Sequence, residues 1–180
     1  LDLMLPGANG LDVCRQVRDD YSGAIVMLTA SQSEADHVAG LELGADDFVT
    51  KPIDPRVLLA RLRTQLRRLG GGRAPGQDDG GILNIGALQV DTASRDINVE
   101  GHSVPLTTME FDVLAMLATH AGSVVKRDDL YTTVMGIEYD GFDRGLDVHV
   151  SRIRRKLERA GFDPSRLKSV RGVGYLLAVR

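Results

Sequence analysis

The chain has 180 residues, of which 43% are hydrophobic, and this composition supports packed cores and excludes wholesale disorder. It contains no run of 18 apolar residues and no charged-then-apolar leader, so we expect neither a membrane span nor a signal peptide. The formal net charge is −3, and a single cysteine, Cys14, excludes an internal disulfide framework and is typical of a reducing cytoplasm.

Residues 1–69 alternate short apolar runs with helical patterns. The run 24–28 predicts a buried strand, residues 47–50 predict a shorter one, and residues 33–43 predict a helix between them. A further helix follows Asp54, which is a good N-cap, and ends at the glycines beyond it. Strands that alternate with helices indicate βα units and a parallel sheet.

A glycine-rich stretch, residues 70–81, separates this segment from the rest of the chain. Six of its twelve residues are glycine, which is typical of a flexible tether, so we place the domain boundary there. Beyond it, residues 82–143 carry a net charge of −7 and residues 144–180 a net charge of +7. A strongly basic C-terminal segment in a chain whose net charge is negative indicates a polyanionic partner.

The second segment begins with β-like runs and continues with helices. A capping box at Thr107 and Glu110 predicts the start of a helix that ends near Gly122. The other predicted elements are strands over 82–90 and 96–104, helices over 127–135 and 143–160, and a hairpin over 167–179 with a tight glycine turn. Three helices and a terminal hairpin predict an α+β winged helix-turn-helix domain.

Three polar side chains directly follow apolar strand patterns of the first segment, namely Asp2, Thr29 and Lys51. They are 27 and 22 residues apart, about one βα unit each. Because the carboxyl ends of parallel strands line one edge of a sheet, we expect all three in one crevice. There Asp2 would attack a phosphoryl group, Lys51 would neutralise its charge and Thr29 would hydrogen-bond one of its oxygens.

Three stretches of this segment carry a specific resemblance. Leu1–Gly7 (LDLMLPG), Met27–Ala30 (MLTA) and Gly44–Pro52 (GADDFVTKP) resemble the receiver domain of two-component response regulators. The match covers the later half of a receiver, so the resemblance implies a partial doubly wound parallel sheet of the flavodoxin-like type.

The receiver resemblance also implies a role for each matching residue. Asp2 would accept phosphate from a sensor histidine kinase, and Lys51 would precede a cis proline, Pro52. Thr29 and Phe48 would form the switch pair, in which the aromatic ring turns inward when Thr29 engages the phosphoryl group.

A Mg²⁺ ion is the cofactor that this resemblance implies. Its ligands would be Asp2, the backbone carbonyl of Met4 and an acidic pair from the first strand of a receiver. That strand would precede Leu1, so we expect further sequence upstream and poor phosphorylation of the chain as given. An aspartyl-nucleophile phosphatase of the haloacid dehalogenase type uses Asp-x-Asp, but Met4 at the second position cannot transfer a proton. We therefore expect no enzyme.

Basic and polar residues accompany the apolar stripe of the predicted helix 143–160. They are Arg144, His149, Ser151, Arg152, Arg154 and Arg155. Such a face on an isolated helix is most simply solvated. However, Arg171 comes just before the glycine turn of the following hairpin, and a major-groove helix with an arginine on a wing is a coherent DNA-binding set.

The second segment resembles the OmpR/PhoB winged-helix family over nearly all of residues 82–180. The strongest stretches are Leu106–Thr107 with Glu110–Phe111, then Asp147–Leu157, then Val170–Tyr175. The resemblance implies that Arg152 reads bases and that Arg171 enters the minor groove. It implies phosphate or groove-edge contacts for Arg144, His149, Ser151 and Arg154. The loop 136–142 corresponds to the segment that family members present to RNA polymerase, although a passive solvated loop is an equal alternative.

Receivers of this family pair through their fourth helix, fifth strand and fifth helix. The charges in place for such a dimer face are Glu42, Asp46, Asp47, Arg61 and Arg63. The positions that usually supply one more ion pair hold His37 and Val57. Because an exposed pair contributes only about 0–1 kcal/mol, we expect a weaker dimer rather than none.

The interpretation that follows is a phosphorylation-controlled, cytoplasmic transcription regulator. It comprises part of a receiver (1–69), a linker (70–81) and a winged-helix domain (82–180) that binds tandem half-sites of double-stranded DNA as a homodimer. Two alternatives stay open. One is a constitutive DNA-binding fragment whose receiver half is inert, and the other is an adaptor whose winged helix binds protein.

Overall fold

A computed structural model describes residues 1–21, 23–31, 33–69, 81–136 and 145–179. Apart from Gly81, the predicted linker lies outside the described residues, and so does the loop 136–142 beyond Gly136.

The first part of the chain combines a short antiparallel hairpin, formed by its first two strands, with a parallel sheet and, among the described residues, three helices. Its strands are β1 (Met4–Leu5), β2 (Ala8–Asn9), β3 (Val26–Thr29) and β4 (Asp47–Thr50). Its helices are α1 (Gly10–Arg18), α2 (Glu34–Glu42) and α3 (Pro55–Leu69). The backbone at Asp2 pairs in parallel with β3, and β3 pairs in parallel with β4. The predicted parallel sheet is therefore present. The strand predicted over 24–28 is β3, which begins two residues later, at Val26.

Local side chains explain where these helices begin. The side chain of Asn9 accepts a hydrogen bond from the amide of Leu11 at the start of α1, and Ser33 caps α2 in the same way. At α3 the carboxylate of Asp54 accepts from the amide of Arg56, 2.7 Å away. Polar residues of this kind satisfy amides that have no partner within the helix.

The second part begins with a four-stranded antiparallel sheet instead of two long strands. It consists of β5 (Ile82–Ile85), β6 (Leu88–Asp91), β7 (Asp96–Val99) and β8 (His102–Ser103), paired in chain order. The predicted strands 82–90 and 96–104 are wrong as continuous elements. Gly86 and Gly101, at φ +63° and +84°, reverse the chain within each run, in a conformation that side chains disfavour.

Helices and a terminal hairpin complete this part. They are α4 (Thr108–Thr119), β9 (Val125–Lys126), α5 (Arg127–Leu130), a π-helical turn (Tyr131–Met135), α6 (Gly145–Arg159), β10 (Leu167–Val170) and β11 (Gly174–Leu177). The capping box is confirmed, since Glu110 accepts from the amide of Thr107 at 2.8 Å and Thr107 accepts from that of Glu110 at 3.4 Å. The predicted helix 127–135 is α-helical only to Leu130.

The core of this part forms around α4 and α6. The predicted stripe of α6, Leu146, Val150, Ile153 and Leu157, is 0% exposed. Burial of each such side chain stabilises the fold by about 1.5–3 kcal/mol relative to exposure. Strand β11 pairs with both β10 and β9, and the turn between β10 and β11 places the exposed Arg171 at its tip. This hairpin is the wing of a winged helix.

Candidate functional site

Asp2 and Lys51 meet at the carboxyl edge of the parallel sheet. The Lys51 ammonium donates to the Asp2 carboxylate, and both side chains are partly open to solvent. Thr29 lies at the end of the strand between them, because Asp2 pairs with Leu28 and Thr29 pairs with Thr50. The Thr29 side chain is 1% exposed, and its oxygen accepts from the amide of Ser31 at 2.9 Å. The edge thus holds a carboxylate, an ammonium and a hydroxyl on adjacent strands.

The environment of Asp2 keeps it ionised. The hydrogen bond from Lys51, assisted by the amide of Met4, holds the pKa of the Asp2 carboxyl below its usual 3.8. An ionised carboxylate at neutral pH is the form that attacks phosphorus. The Lys51–Pro52 peptide bond is cis, as the resemblance implies, and Pro52 is exposed.

The described residues supply only part of a Mg²⁺ site. Mg²⁺ prefers six oxygen ligands in octahedral geometry. No group of three His, Cys, Asp or Glu side chains among the described residues is placed to hold a metal. The Asp2 carboxylate and the Met4 carbonyl would supply two of these ligands, which is fewer than the ion prefers.

Phe48 connects this edge to helix α2. Its ring centroid lies 4.3 Å from that of His37 on α2. A Cβ at Gly40 of α2 would come within 2.7 Å of the Phe48 ring, so glycine is the residue that lets ring and helix approach. His37 also lies 3.3 Å from the Thr50 hydroxyl through Nε2. The predicted switch residue Phe48 therefore packs directly against α2.

Three of the charges predicted for the dimer face, Asp46, Asp47 and Arg61, form ion pairs within the receiver part. The Arg61 guanidinium donates to both carboxylate oxygens of Asp47, at 2.8 and 2.9 Å. The Asp46 carboxylate is 1% exposed and accepts from Arg18 at 2.7 Å and from the amide of Ile25 at 2.9 Å. In this arrangement Asp46 and Asp47 stabilise the receiver part itself, and their role between subunits stays a prediction.

The other predicted dimer positions differ in exposure. Glu42 at the end of α2 pairs with Arg155 of α6, 3.0 Å away. Arg63 on α3 is exposed, and Val57 is 46% exposed, as a dimer face requires.

Three of the residues predicted to bind DNA have exposed side chains: Ser151, Arg155 and Arg171. Arg154 is half-buried and joins α6 to the wing, because it donates to the carbonyl of Leu167 at 2.7 Å and to the hydroxyl of Ser169 at 2.9 Å. The predicted contact Arg144 lies outside the described residues.

Arg152 and His149, by contrast, are buried. The Arg152 side chain forms an ion pair with Glu110, 2.9 Å away, and donates to the carbonyl of Leu41 on α2 at 2.7 Å. His149 is 0% exposed, and burial lowers the pKa of its imidazole below 6.5. Neither side chain faces solvent here, so their DNA contacts stay predictions that require α6 to separate from α2.

Glu110 has a second role besides the capping box. It is 0% exposed and holds both Arg152 and Lys156, whose ammonium is 2.7 Å away. Burial alone would raise the pKa of its carboxyl, but these two cations hold the pKa below 4.5. Glu110 is therefore ionised at neutral pH and joins α4 to α6.

A second polar cluster holds the first turn of α6. Arg127 of α5 donates to Asp147 at 2.5 Å and to the Tyr175 hydroxyl at 2.9 Å, and that hydroxyl donates to Asp147. Burial, together with the Asp147 carboxylate, raises the pKa of Tyr175 above its usual range. These contacts fix α6 relative to α5 and to β11 of the wing.

Sequence reasoning missed this cluster and the contact with α2. Tyr175 is 1% exposed, and the sequence did not indicate that its hydroxyl has Asp147 and Arg127 as partners. Asp147 could have indicated this cluster, because an acidic residue in the first turn of an otherwise basic helix suggests a basic partner on a neighbouring element. No local signal pointed to Leu41, whose backbone carbonyl is the acceptor.

Comparisons with known proteins agree with this geometry. Residues 1–63 match the family described as response regulator receiver domain, and residues 101–177 match that described as transcriptional regulatory protein, C terminal. The sensory transduction protein RegX3 of Mycolicibacterium smegmatis is 46% identical over 177 residues, which are 98% of this chain and 77% of RegX3. The transcriptional regulatory protein RstA of Escherichia coli is 41% identical over 184 residues, covering 99% and 77%.

A solved structure matches the second part. The Klebsiella pneumoniae RstA DNA-binding domain, crystallised in complex with the RstA box, is 42% identical, with a TM-score of 0.51 over 55% of this chain and 98% of that one. A parallel-sheet receiver followed by a winged helix defines the two-component response regulators that control transcription. The chain belongs to their OmpR/PhoB-type family, which confirms the predicted family and fold class.

The family consists of DNA-binding response regulators and not of classical enzymes. In the part of the chain that the structure describes, no helix is both long and apolar enough to cross a membrane.

Proposed function

We propose that this chain binds double-stranded DNA through α6 and the wing, and that phosphorylation of Asp2 controls that binding. The observation that carries the proposal is the concentration of charge: residues 144–180 have a net charge of +7 in a chain whose total is −3. A surface of this kind neutralises DNA phosphates. The 42% identical RstA domain that was crystallised with the RstA box supports the same assignment.

The phosphoryl group comes from a histidine of a sensor kinase. A carboxylate oxygen of Asp2 attacks phosphorus, so that a P–O bond forms while the P–N bond to the histidine breaks. Lys51, already beside the carboxylate, pairs with the phosphoryl oxygens and offsets their charge. The Thr29 hydroxyl turns from the Ser31 amide to one phosphoryl oxygen, and Phe48 moves with it.

Asp2→Asn is expected to abolish phosphorylation. An amide has no anionic oxygen to attack phosphorus, so incorporation from acetyl phosphate with Mg²⁺ falls to background on phosphate-sensitive gels. Asp12→Asn is the matched control, because Asp12 is an exposed carboxylate that pairs only with Arg15 among the described residues. With two described metal donors we expect slow incorporation in the parent chain. Label that survives in Asp2→Asn would contradict the assignment.

Arg171→Ala is expected to weaken binding to all duplexes and to reduce the slope of log affinity against log salt by about 1. The physical reason is that Arg171 is exposed at the wing tip and contributes one positive charge. Fluorescence polarisation with a labelled duplex measures both quantities. Arg15→Ala on α1 removes the same charge from the receiver part and should leave the slope unchanged. If Arg171→Ala and Arg15→Ala have the same slope of log affinity against log salt, Arg171 of the wing does not contact DNA phosphate.

Further partners belong to the same proposal. Activated receivers pair through α2, β4 and α3, so that two chains occupy tandem half-sites about 34–36 Å apart. The loop 136–142 contacts RNA polymerase, and the linker 70–81 connects the receiver (1–69) to the winged-helix domain (82–180). DNA and a sensor kinase as partners imply a cytoplasmic location.

Two alternatives give different results in these assays. A constitutive DNA-binding fragment binds the same duplex equally well whether or not Asp2 is phosphorylated. A protein-binding adaptor shows no salt-dependent affinity for any duplex.

A further inference from the structure

An open cleft lies between strand β8 and the C-terminal end of helix α6. Its volume is about 470 Å³, which is within the range of small-molecule sites, about 300–1,000 Å³. Val104, Pro105 and Ala160 form its apolar wall. The residues that line it belong neither to the carboxyl edge of the receiver part nor to the predicted DNA contacts. Phosphorylation and DNA binding therefore leave this cleft unexplained.

Four side chains with hydrogen-bond donors line the same cleft. Lys156 and Arg159 come from the last turn of α6, and His102 and Ser103 form strand β8. The side chains of Arg159, His102 and Ser103 are exposed and form no hydrogen bond or ion pair with another described residue. Donors that converge on a cleft without protein acceptors are available to a ligand.

Lys156 connects the cleft to the buried Glu110 of α4. Its ammonium donates to the Glu110 carboxylate at 2.7 Å and to the carbonyl of Pro105 at 2.9 Å. The Lys156 side chain is still 27% exposed. An ammonium has three N–H donors, so one of them remains for a ligand in the cleft.

The charge around the cleft is positive. Arg152 balances the buried carboxylate of Glu110, 2.9 Å away, so Lys156 and Arg159 add two positive charges. The C-terminal end of α6 carries the equivalent of only about half a negative charge. A guanidinium can pair with a carboxylate or a phosphate through two parallel hydrogen bonds. The cleft thus attracts an anion and offers an apolar wall to the rest of the ligand.

We propose that this cleft binds a small organic anion, namely a carboxylate or a phosphate monoester on a compact apolar body. Arg159 pairs with the anionic group, Lys156 donates its remaining N–H to it, and the apolar wall contacts the body. A concave site of this size encloses most of the surface of a small molecule. The inference goes beyond DNA binding and phosphorylation and depends on neither.

A bound anion stabilises the folded winged-helix domain. The ligand contacts α6 through Lys156 and Arg159 and contacts β8 across the cleft, and the unfolded chain offers no such arrangement. A ligand that binds only the folded state raises the midpoint of unfolding. Binding and stabilisation are therefore two independent readouts of the same site.

Fluorine NMR of small probes measures binding to the full chain. The probes are 4-fluorobenzoate, 4-fluorophenyl phosphate and the neutral 4-fluorobenzyl alcohol. We expect saturable binding of one or both anions at a single site, and none of the alcohol, because it brings no charge to the cationic donors. Comparison of the two anions shows whether the cleft prefers a carboxylate or a phosphate. Saturable binding of neither anion, or equal binding of the alcohol, would overturn the proposal.

Arg159→Gln locates the site. We expect this variant to bind the preferred anion about five- to tenfold more weakly than the parent chain, because a charge-assisted hydrogen bond is lost. Arg15→Gln is the matched control, since it removes the same charge from an exposed arginine of α1, and it should bind as the parent does. Equal weakening in both variants, or in neither, would exclude the cleft as the site.

Thermal unfolding separates loss of the site from loss of the fold. Without ligand, we expect the parent and both variants to unfold at the same temperature, because Arg159 and Arg15 are exposed. The preferred anion, at a concentration that saturates the parent, should raise this midpoint in the parent and in Arg15→Gln, and less in Arg159→Gln. An equal rise in all three chains would contradict the assignment.

A DNA duplex distinguishes a small anion from a DNA phosphate as the occupant. Lys156 and Arg159 are outside the predicted DNA contacts, so an unlabelled duplex should leave the bound probe in place. Displacement of the probe at duplex concentrations that saturate the chain would make the cleft part of the DNA surface and overturn the proposal.

Discussion

Glu110→Gln is expected to destabilise the winged-helix domain by about 3–5 kcal/mol. The Glu110 carboxylate is 0% exposed and is the ion-pair partner of both Arg152 and Lys156. Glutamine has nearly the same shape but leaves two cations near a buried neutral amide. Removal of one partner from a buried ion pair costs more than the pair contributes, because the remaining charge stays desolvated.

Urea unfolding of the full chain, followed by the fluorescence of the tyrosines, measures this effect as a lower midpoint at unchanged slope. Glu158→Gln is the matched control: it makes the same chemical change on an exposed residue of α6, and we expect a change within about 0.5 kcal/mol. A loss below about 1 kcal/mol in Glu110→Gln would mean that Arg152 and Lys156 find other partners, and that Glu110 does not join α4 to α6.

Acidification from about pH 7.5 to about pH 5.5 is expected to open the α2–α6 contact. His149 is fully buried there, and burial lowers the pKa of its imidazole below 6.5. The charged groups that act on it are Asp46 of the receiver, Glu110 of α4 and Arg152 of α6; the two carboxylates favour the proton and the arginine disfavours it.

The direction of this pH effect follows from the linkage between protonation of His149 and the packing of α6 on α2. The form in which α6 packs against α2, called docked here, favours neutral His149 because burial lowers the pKa of its imidazole. In the open form, in which α6 has left α2 and His149 is exposed, that pKa returns to its ordinary value. Docking is therefore fully stabilised above about pH 6.5 and weakens below it, by up to about tenfold in the docked-to-open ratio for each pH unit until the lowered pKa is reached.

Small-angle X-ray scattering measures this opening as an increase in the radius of gyration. His149→Gln cannot bind a proton in this range, so its radius should not change between the two pH values. A constant radius in the parent chain, or an equal increase in the variant, would contradict the role of His149.

Local signals were sufficient for much of the fold. The Thr107–Glu110 capping box involves residues three apart, so its sequence pattern predicts its two hydrogen bonds directly. The stripe of α6 follows helical periodicity and is buried as predicted. By contrast, the runs 82–90 and 96–104 have the composition of single strands, and only Gly86 and Gly101 indicate that each one turns.

Long-range contacts explain what the sequence could not reveal about the sites. The pair of Asp2 with Lys51 was predictable, because parallel strands end at one edge whatever the details of their packing. The burial of Arg152 was not predictable, since a basic residue on a helix has the same periodicity whether it faces solvent, DNA or another helix. Its partners are Glu110, 42 residues earlier, and the backbone of Leu41, which has no sequence signature.

The central claim is that the basic end of this chain binds the phosphates of double-stranded DNA. Its most direct test is the affinity for a labelled duplex, measured from low to high salt. The full Glu42→Arg chain is used, because this change removes the partner of Arg155 on α2. Each phosphate neutralised contributes a slope of about −0.9 in log affinity against log salt, so phosphate contacts by Arg144, Arg154, Arg155 and Arg171 predict a slope of about −3 to −4. An affinity that does not change with salt, or no affinity for any duplex, would contradict the claim.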